Sequence, residues 1–453
     1  MSARSRRIAA TFARHALAGA WHSACGLAAV ERRRAAFARE WRVAFQELGP
    51  AFVKLGQLIS VRPDEFGREL VAEMASMQDS VPALPASAIR GVITEEFGRT
   101  PEQLFATFDD TPIASASIAQ VHGATLAQAV RPVWGETLAA GAQVVVKVIR
   151  PGAAEVILAD LVEARRLVDL LKRRGFLKRV NAHQLLDEFD ASVHRELDLR
   201  IEAHIADRFA FDFREDPQVE VPRVVWARTA RRVVTMERMI GWRLTDMGEA
   251  ELAGVDGRAL AIHGSTAFMR QVMVYGRFHA DLHPANLFVT PRNTIAYLDF
   301  GIVGHLSKEE REDIAQVLAA LVYRDADRAL RYSRRLGVDV PPDRIDTVRR
   351  ELGELLDSLM GPVGEGGGFR HFGMGFLSLL RRHGIDVPVG YGLLIKSLAT
   401  VEGCARSLYP DIDIMEICKP FVTKLLSDAM GRPDRLQERI PAALRAAARE
   451  FVA

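Results

Sequence analysis

The stretch His279–Gly301 constrains this chain more than any other. It opens His279-Ala280-Asp281-Leu282-His283-Pro284-Ala285-Asn286, an H-x-D-x-x-x-x-N loop, and closes on Asp299-Phe300-Gly301. Between them lie Leu287-Phe288-Val289, the turn Thr290-Pro291-Arg292-Asn293, and a second apolar run from Ile295 to Leu298. The order predicts strand, turn, strand with a polar motif at each end. Alone, Asp-Phe-Gly is a turn signal, and a single loop Asn or His usually hydrogen-bonds locally. Together they point to metal ions held against a nucleoside triphosphate. In that reading Asp281 orients an attacking hydroxyl or water and takes its proton. Asn286 offers a neutral oxygen to one magnesium, and Asp299 a carboxylate to the magnesium bridging the phosphates. Magnesium is a hard cation that favours such oxygen donors.

A second signal lies upstream. Gln143-Val144-Val145-Val146-Lys147-Val148-Ile149 reads as a buried strand with one lysine in it. The bland reading is a snorkelling edge lysine. An unpaired buried ammonium is costly, however, so a lysine centred in a Val/Ile run implies a partner. Its place upstream of the metal loop matches the phosphate-pairing lysine of V-A-I-K. Before it, Pro112-Ile113-Ala114-Ser115-Ala116-Ser117-Ile118-Ala119-Gln120 stands where a glycine-rich phosphate loop would lie. Alanine and serine make a stiffer loop than glycine. Ala114, Ser115, Ala116 and Ser117 would line the nucleotide, with Ser117 or Gln120 in contact.

The chain has 453 residues, enough for two or three compact units, and a net charge of +2, which gives no reason to invoke nucleic acid. Three scattered cysteines, Cys25, Cys404 and Cys418, lack metal-ligand spacing and suggest a reduced interior. No segment has the apolar length to span a bilayer. The first thirty residues carry Arg4, Arg6, Arg7 and Arg14 and no acid before Glu31. They read first as a solvated helical extension docked on its own protein, then as a membrane-surface helix or a targeting-like segment.

Residues 1 to about 50 read as helical. A helix follows around Phe52–Ser60, bent or ended by Pro63, in which Lys54 and Gln57 share a side. Further helices are expected over Glu69–Gln78 and from Pro101, with Thr100 as N-cap. From Ile113 the pattern turns to strands, with one over Ile118–Ala124. Two long helices are expected at about 153–174 and 182–210. The second carries Glu196, Asp198 and Glu202 within nearly two turns, and one of these acids is a candidate partner for Lys147. Strands return at Val219–Trp226 and Val233–Met236. Glu237 and Met239, before Gly241, mark a hinge whose backbone would meet an adenine ring. Gly364–Gly368 reads as a flexible loop tip, and the last thirty residues as amphipathic.

These motifs stand in the order of one family. Lys54-Leu55-Gly56-Gln57 (K-x-G-Q), the Ala-rich loop, Lys147, Glu196-Leu197-Asp198 (E-x-D) with Glu202, H-x-D-L-H-P-x-N and D-F-G resemble the UbiB/ADCK (coenzyme Q8B type) family of atypical kinases. The similarity runs roughly from Phe52 to Asp413 and is specific as a joint pattern. It implies an α+β fold, protein-kinase-like and two-lobed, with an N-terminal helical extension. The divisions would be 1–100 for the extension with K-x-G-Q, 101–240 for an N-lobe with inserted helices, and 241–453 for a mostly helical C-lobe. It implies that Lys54 lies near Glu196 and Asp198, that Glu202 faces Lys147, and that the extension covers the nucleotide site against protein substrates. Lys54, Gln57, Glu196 and Asp198 would then be regulatory, and Asp281, Lys147 and Glu202 catalytic.

The implied activity is Mg²⁺-dependent binding and hydrolysis of ATP (or ADP binding) in support of ubiquinone or related isoprenoid-lipid biosynthesis. The implied partners are ubiquinone-biosynthesis proteins and lipid. The sequence departs from the family at Ser115, often alanine, and at His204, often asparagine. The hydrophobic C-terminal anchors of many bacterial members have no counterpart in this sequence. The expectation is therefore a cytoplasmic protein with peripheral contact at the inner membrane. Two other readings stand beside this one: a small-molecule phosphotransferase of the aminoglycoside or choline kinase type, and a nucleotide-binding scaffold without essential catalysis.

Overall fold

A computed structural model describes residues 3–25, 30–60, 66–77, 81–175, 181–252, 254–282, 284–358 and 368–430. Pro63, His283, Gly364 to Gly367 and the chain beyond 430 lie outside the described residues. The chain forms two compact units, Met1–Ala253 with Ala285–Gly301, and Gly254–Pro284 with Ile302–Ala453.

The first unit is built on an antiparallel sheet of Phe105–Ser115, Ala119–Leu126, Gln143–Ile149 and Val233–Glu237, in that spatial order. Side chains alternate across a strand. Val144, Val146 and Val148 therefore face one way and are fully buried against Ile89, Val92 and Ile93 of the helix Ala86–Phe97. Val145 and Lys147 fall on the opposite, half-open face. The expected fully buried run is thus an antiparallel strand with one covered face.

The first strand begins at Phe105 rather than Ile113. The intervening Asp109-Asp110-Thr111-Pro112 looks like a turn, but an edge strand tolerates polar residues and proline. Its pairing slips between Phe108 and Pro112 and again before Ala114.

Helices Ala3–Cys25, Val30–Leu48, Pro50–Ser60 and Arg68–Ala75 precede the sheet. Phe12, Trp41, Phe45 and Phe52 form their aromatic core, with ring centroids 5.1 to 6.2 Å apart. Arg4 binds Asp160 through both Nε and Nη2 at 2.6 Å and reaches the Leu48 carbonyl, which fastens the first helix to the helix Ala153–Arg173. Gly56 has a packing reason: a Cβ there would lie 2.0 Å from Met77 Cε and 3.0 Å from Met74 Sδ.

The expected continuous helix at 182–210 is two, Ala182–Glu196 and Leu199–Asp212. Asp198 breaks it by acting as N-cap of the second, its carboxylate accepting from Arg200 N at 3.2 Å. Thr100 forms the expected capping box, with Gln103. The expected strand at Val219–Trp226 shortens to Val219–Glu220, and Trp226–Arg228 is a 3₁₀ turn.

The hairpin of the metal motifs forms as read: Leu287–Val289 pairs with Ile295–Tyr297, and Asn293 closes the turn at φ 61°. It sits in a second sheet with Val219–Glu220 and Trp242–Arg243.

The second unit is mainly helical. Its helices include Gly257–Arg270, Lys308–Tyr323, Phe369–Arg382 and Val389–Leu408, beside a two-stranded sheet of Arg277–His279 and Val303–His305. Among the described residues, no helix is long and apolar enough to cross a membrane.

Candidate functional site

In the first unit the open face of the sheet gathers charge. Lys147 Nζ donates to both carboxylate oxygens of Glu202, at 2.9 and 2.7 Å. The lysine side chain is 24% exposed and the glutamate 9%. Burial works against the charge of Lys147, but Glu202, and after it Asp299 and Glu196, hold the ammonium above the ordinary lysine range. Burial pushes the Glu202 carboxyl up, Lys147 pulls it back, and Asp299 pushes it up again. With Lys54 on Glu196, two lysines face the three carboxylates Glu202, Asp299 and Glu196, which leaves the site short of positive charge. A cation beside Asp299 would relieve that deficit.

Asp299 sits on the turn after the hairpin and accepts from Gly301 N at 2.8 Å. Phe300 between them is fully buried, 5.3 Å from Phe209 on the helix that carries Glu202. Asn286, at the hairpin's start, accepts from Leu298 N through its backbone oxygen at 3.1 Å. The hairpin therefore brings the neighbourhoods of Asn286 and Asp299 together. One carboxylate and one amide oxygen suit magnesium, which takes phosphate and water for its remaining positions. Among the described residues no group of three or more His, Cys, Asp or Glu could hold a metal ion.

The Ala-rich loop is braced from behind. Arg150 donates to Ser115 Oγ at 3.3 Å, to Ala116 O at 3.2 Å and to Pro82 O at 3.1 Å. Val81 N donates to Ser115 O, and Gln120 Oε1 accepts from Leu84 N at 2.5 Å. Gln120 is wholly buried and also meets His122 Nε2 at 3.3 Å, so its side chain ties the loop to the 81–84 segment. Ser117 is buried, Ala114 is exposed, and Ser115 and Ala116 are half-buried. Arg150 went unread because an arginine just past a strand carries no pattern.

Lys54 reaches Glu196 at 2.8 Å, and Gln57 lies on the same helix. Asp198 is engaged by Arg200 at 2.6 Å, which holds its carboxyl below the usual range. The E-x-D acids thus diverge, one toward Lys54 and the other toward its own helix start. Glu237 ends its strand in a two-pronged pair with Arg223, and Met239 lies half-buried beyond it. Gly241 is forced: a Cβ there would sit 2.3 Å from Val289 O. The His204 ring lies tilted 4.4 Å from that of Trp226, whose Nε1 donates to Asp207 at 2.6 Å.

In the second unit Asp281 stands on a loop whose main-chain N–H groups from His279 to Asp281 are each taken up. Gln271 Oε1 accepts from His279 N at 3.0 Å, and His279 Nδ1 accepts from Asp281 N at 3.2 Å. Ala280 N donates to Ile302 O at 3.0 Å. The Asp281 carboxylate is 45% exposed and lies 3.9 Å from Lys396 Nζ. Lys396 was missed by sequence reading, because one lysine in an apolar helix more than a hundred residues downstream has no spacing that links it to the loop.

Comparison with known proteins places these features. Residues 76–333 match the ABC1 atypical kinase-like domain, and residues 374–413 match the UbiB helical domain. A probable protein kinase UbiB of Marinobacter nauticus is 34% identical over 397 residues, 86% of this chain and 70% of that one. Another from Histophilus somni is 32% identical over 408 residues, 88% of this chain and 73% of that one. Among solved structures, the complex of Rv3197 with erythromycin from Mycobacterium tuberculosis is similar at a TM-score of 0.52 and 26% identity, covering 82% of this chain and 92% of that one.

Proposed function

Because the chain belongs to the UbiB/ADCK family of ABC1 atypical kinase-like proteins, we propose that it is a magnesium-dependent ATPase acting in ubiquinone or related isoprenoid-lipid biosynthesis. The observation that carries this reading is the grip of Lys147 on both oxygens of Glu202 with Asp299 in their electrostatic reach. In that arrangement Lys147 would hold the α/β-phosphates and Asp299 the metal. Asn286 would supply the second metal oxygen, and Asp281 would position a water or acceptor. Ala114 to Ser117 would lie over the phosphates, and the backbone around Glu237 and Met239 would meet the base. Lys54, Gln57, Glu196 and Asp198 would hold the extension of residues 1–100 as a regulatory cover on the kinase-like parts, 101–240 and 241–453. The protein would work in the cytoplasm with peripheral contact at the inner membrane, alongside ubiquinone-biosynthesis proteins and lipid.

Thermal unfolding with and without Mg²⁺ and ADP or ATP tests the reading, because a ligand that binds only the folded state raises the melting temperature. Wild type should show a Mg²⁺-dependent rise that Lys147→Met loses. No rise in either protein would move a scaffold role to the front. The erythromycin complex of the solved relative keeps a small-molecule phosphotransferase as the second reading. Labelled ATP separates the two: inorganic phosphate alone supports the ATPase, and a phosphorylated small metabolite supports the transferase.

A further inference from the structure

The helix Val389–Leu408 carries one lysine in its middle. Leu394, Ile395, Ser397 and Leu398 on its flanks are all buried, while Leu393 and Thr400, one turn either way on its own face, are half-buried. Lys396 nevertheless keeps 31% of its side chain exposed, with its Nζ 3.9 Å from Asp281 Oδ1. An ammonium set among apolar neighbours needs a carboxylate near it. Burial works against the charge of Lys396, and Asp281 works for it.

Two other groups on the same helix touch the same loop. Ser397 Oγ donates to Ala280 O at 3.4 Å, while also bonding Leu393 O one turn back. The Cys404 thiol donates to Leu282 O at 3.9 Å. Residues 396, 397 and 404 fall within about 100° of helical arc and about 12 Å of its length. One stripe of this helix therefore holds the residue before Asp281, the residue after it, and the Asp281 carboxylate. The loop itself, Leu282-His283-Pro284-Ala285, supplies neither lysine nor arginine between Asp281 and Asn286.

We propose that Lys396 is a positioning residue for Asp281, fixing the direction of its carboxylate while Ser397 and Cys404 brace the loop's main chain. This rests on the ATPase reading above, in which Asp281 aims the attacking water. A misaimed carboxylate costs turnover far more than binding, since small displacements of a reacting group slow chemistry by up to about 100-fold. The helix belongs to the stretch matching the UbiB helical domain, so the inference gives that stretch a direct task at the reacting end of the molecule.

The experiment is steady-state ATP hydrolysis by the full chain as wild type, Lys396→Met, Lys396→Arg, Asp281→Asn and the Lys396→Met/Asp281→Asn double variant. Lys396→Met should lose about 30-fold or more in kcat, with KM within about twofold and an unchanged Mg²⁺–ADP melting shift. Lys396→Arg should recover most of the loss. In the Asp281→Asn background, Lys396→Met should cost nothing further. A merely structural lysine would lower the melting temperature and add its loss to that of Asp281→Asn. Wild-type turnover by Lys396→Met, or additive losses in the double variant, overturns the inference and leaves the ATPase standing. A wild type that binds Mg²⁺–ADP without hydrolysing ATP overturns the ATPase instead. Growth of cells lacking the protein then decides: Lys396→Met must fail wherever Asp281→Asn fails, and its success there sinks the proposal.

Discussion

Two ways of holding a reactive side chain stand side by side in this molecule. In the first unit Lys147, Glu202 and Asp299 are held by one another's charge on the half-open face of the sheet, with the Lys147 and Glu202 side chains mostly buried. In the second, Asp281 is held by its N–H on the His279 ring and by Lys396 beside its carboxylate, and keeps nearly half that carboxylate in solvent. The difference lies in what each would lose on substitution. Removing a member of a covered charge cluster strands its partner, which costs stability as well as function. Removing the half-exposed Asp281 carboxylate strands only the partly exposed Lys396, so its loss should show mainly in turnover.

The largest effect that sharpens the contrast is on hydrolysis by Asp299→Asn. Phosphate-derived charge in the site has few other neutralising groups, so ATP hydrolysis should fall by about 10³-fold or to background at matched Mg²⁺. Wild-type rates from that variant would remove the metal assignment. Next, Lys147→Met should destabilise the fold by about 2–4 kcal/mol in urea titrations, because Glu202 keeps a buried charge without its partner. Adding Glu202→Gln should restore most of that stability and none of the nucleotide-induced melting shift. If the double variant is no more stable than the single, the cluster is not charge-held and the contrast fails.

Gly241→Ala probes the hairpin at Val289 without touching charge. Its methyl group would meet the Val289 carbonyl, so a loss of about 1–3 kcal/mol is expected by thermal melting. Asp281→Asn should move stability by less than about 1 kcal/mol while greatly slowing hydrolysis. A larger drop in stability would make the loop a structural element like the Lys147 cluster. The smallest effect is expected at Lys54→Met. Its pair with Glu196 is partly exposed on both sides, which limits the stability change to about 1 kcal/mol or less.

What the sequence makes legible follows from how local each signal is. Alternation along Gln143–Ile149 puts Lys147 on the face opposite three buried valines, and two apolar runs around Thr290–Asn293 can only be a hairpin. The Lys147–Glu202 contact was readable through the ordered motifs of the family it resembles. Where side-chain hydrogen bonds compete with periodicity, the reading slips. Leu199 and Ile201 continue a helical pattern across Leu197-Asp198, but the Asp198 carboxylate takes the main-chain N–H of Arg200 and starts a new helix. Strands are expected only from Ile113, yet an edge strand carries Asp109–Pro112 from Phe105 on. Gln120, expected at the nucleotide, is wholly buried and holds Leu84. Arg150 and Lys396 act through tertiary contacts, across 34 and 115 residues to Ala116 and Asp281 (396 − 281 = 115), and nothing in their local sequence announces this.

The packing of Phe300 on Phe209 has a pharmacological consequence. Inhibitors that demand an outward swing of the D-F-G phenyl ring must here pull it off the helix that holds the glutamate for Lys147. Such a compound would unseat two polar groups, Asp299 and Glu202, by displacing one ring. The ring is fully buried, so entry is expected to be slow and residence long. Screening at short incubation would discard those molecules as inactive.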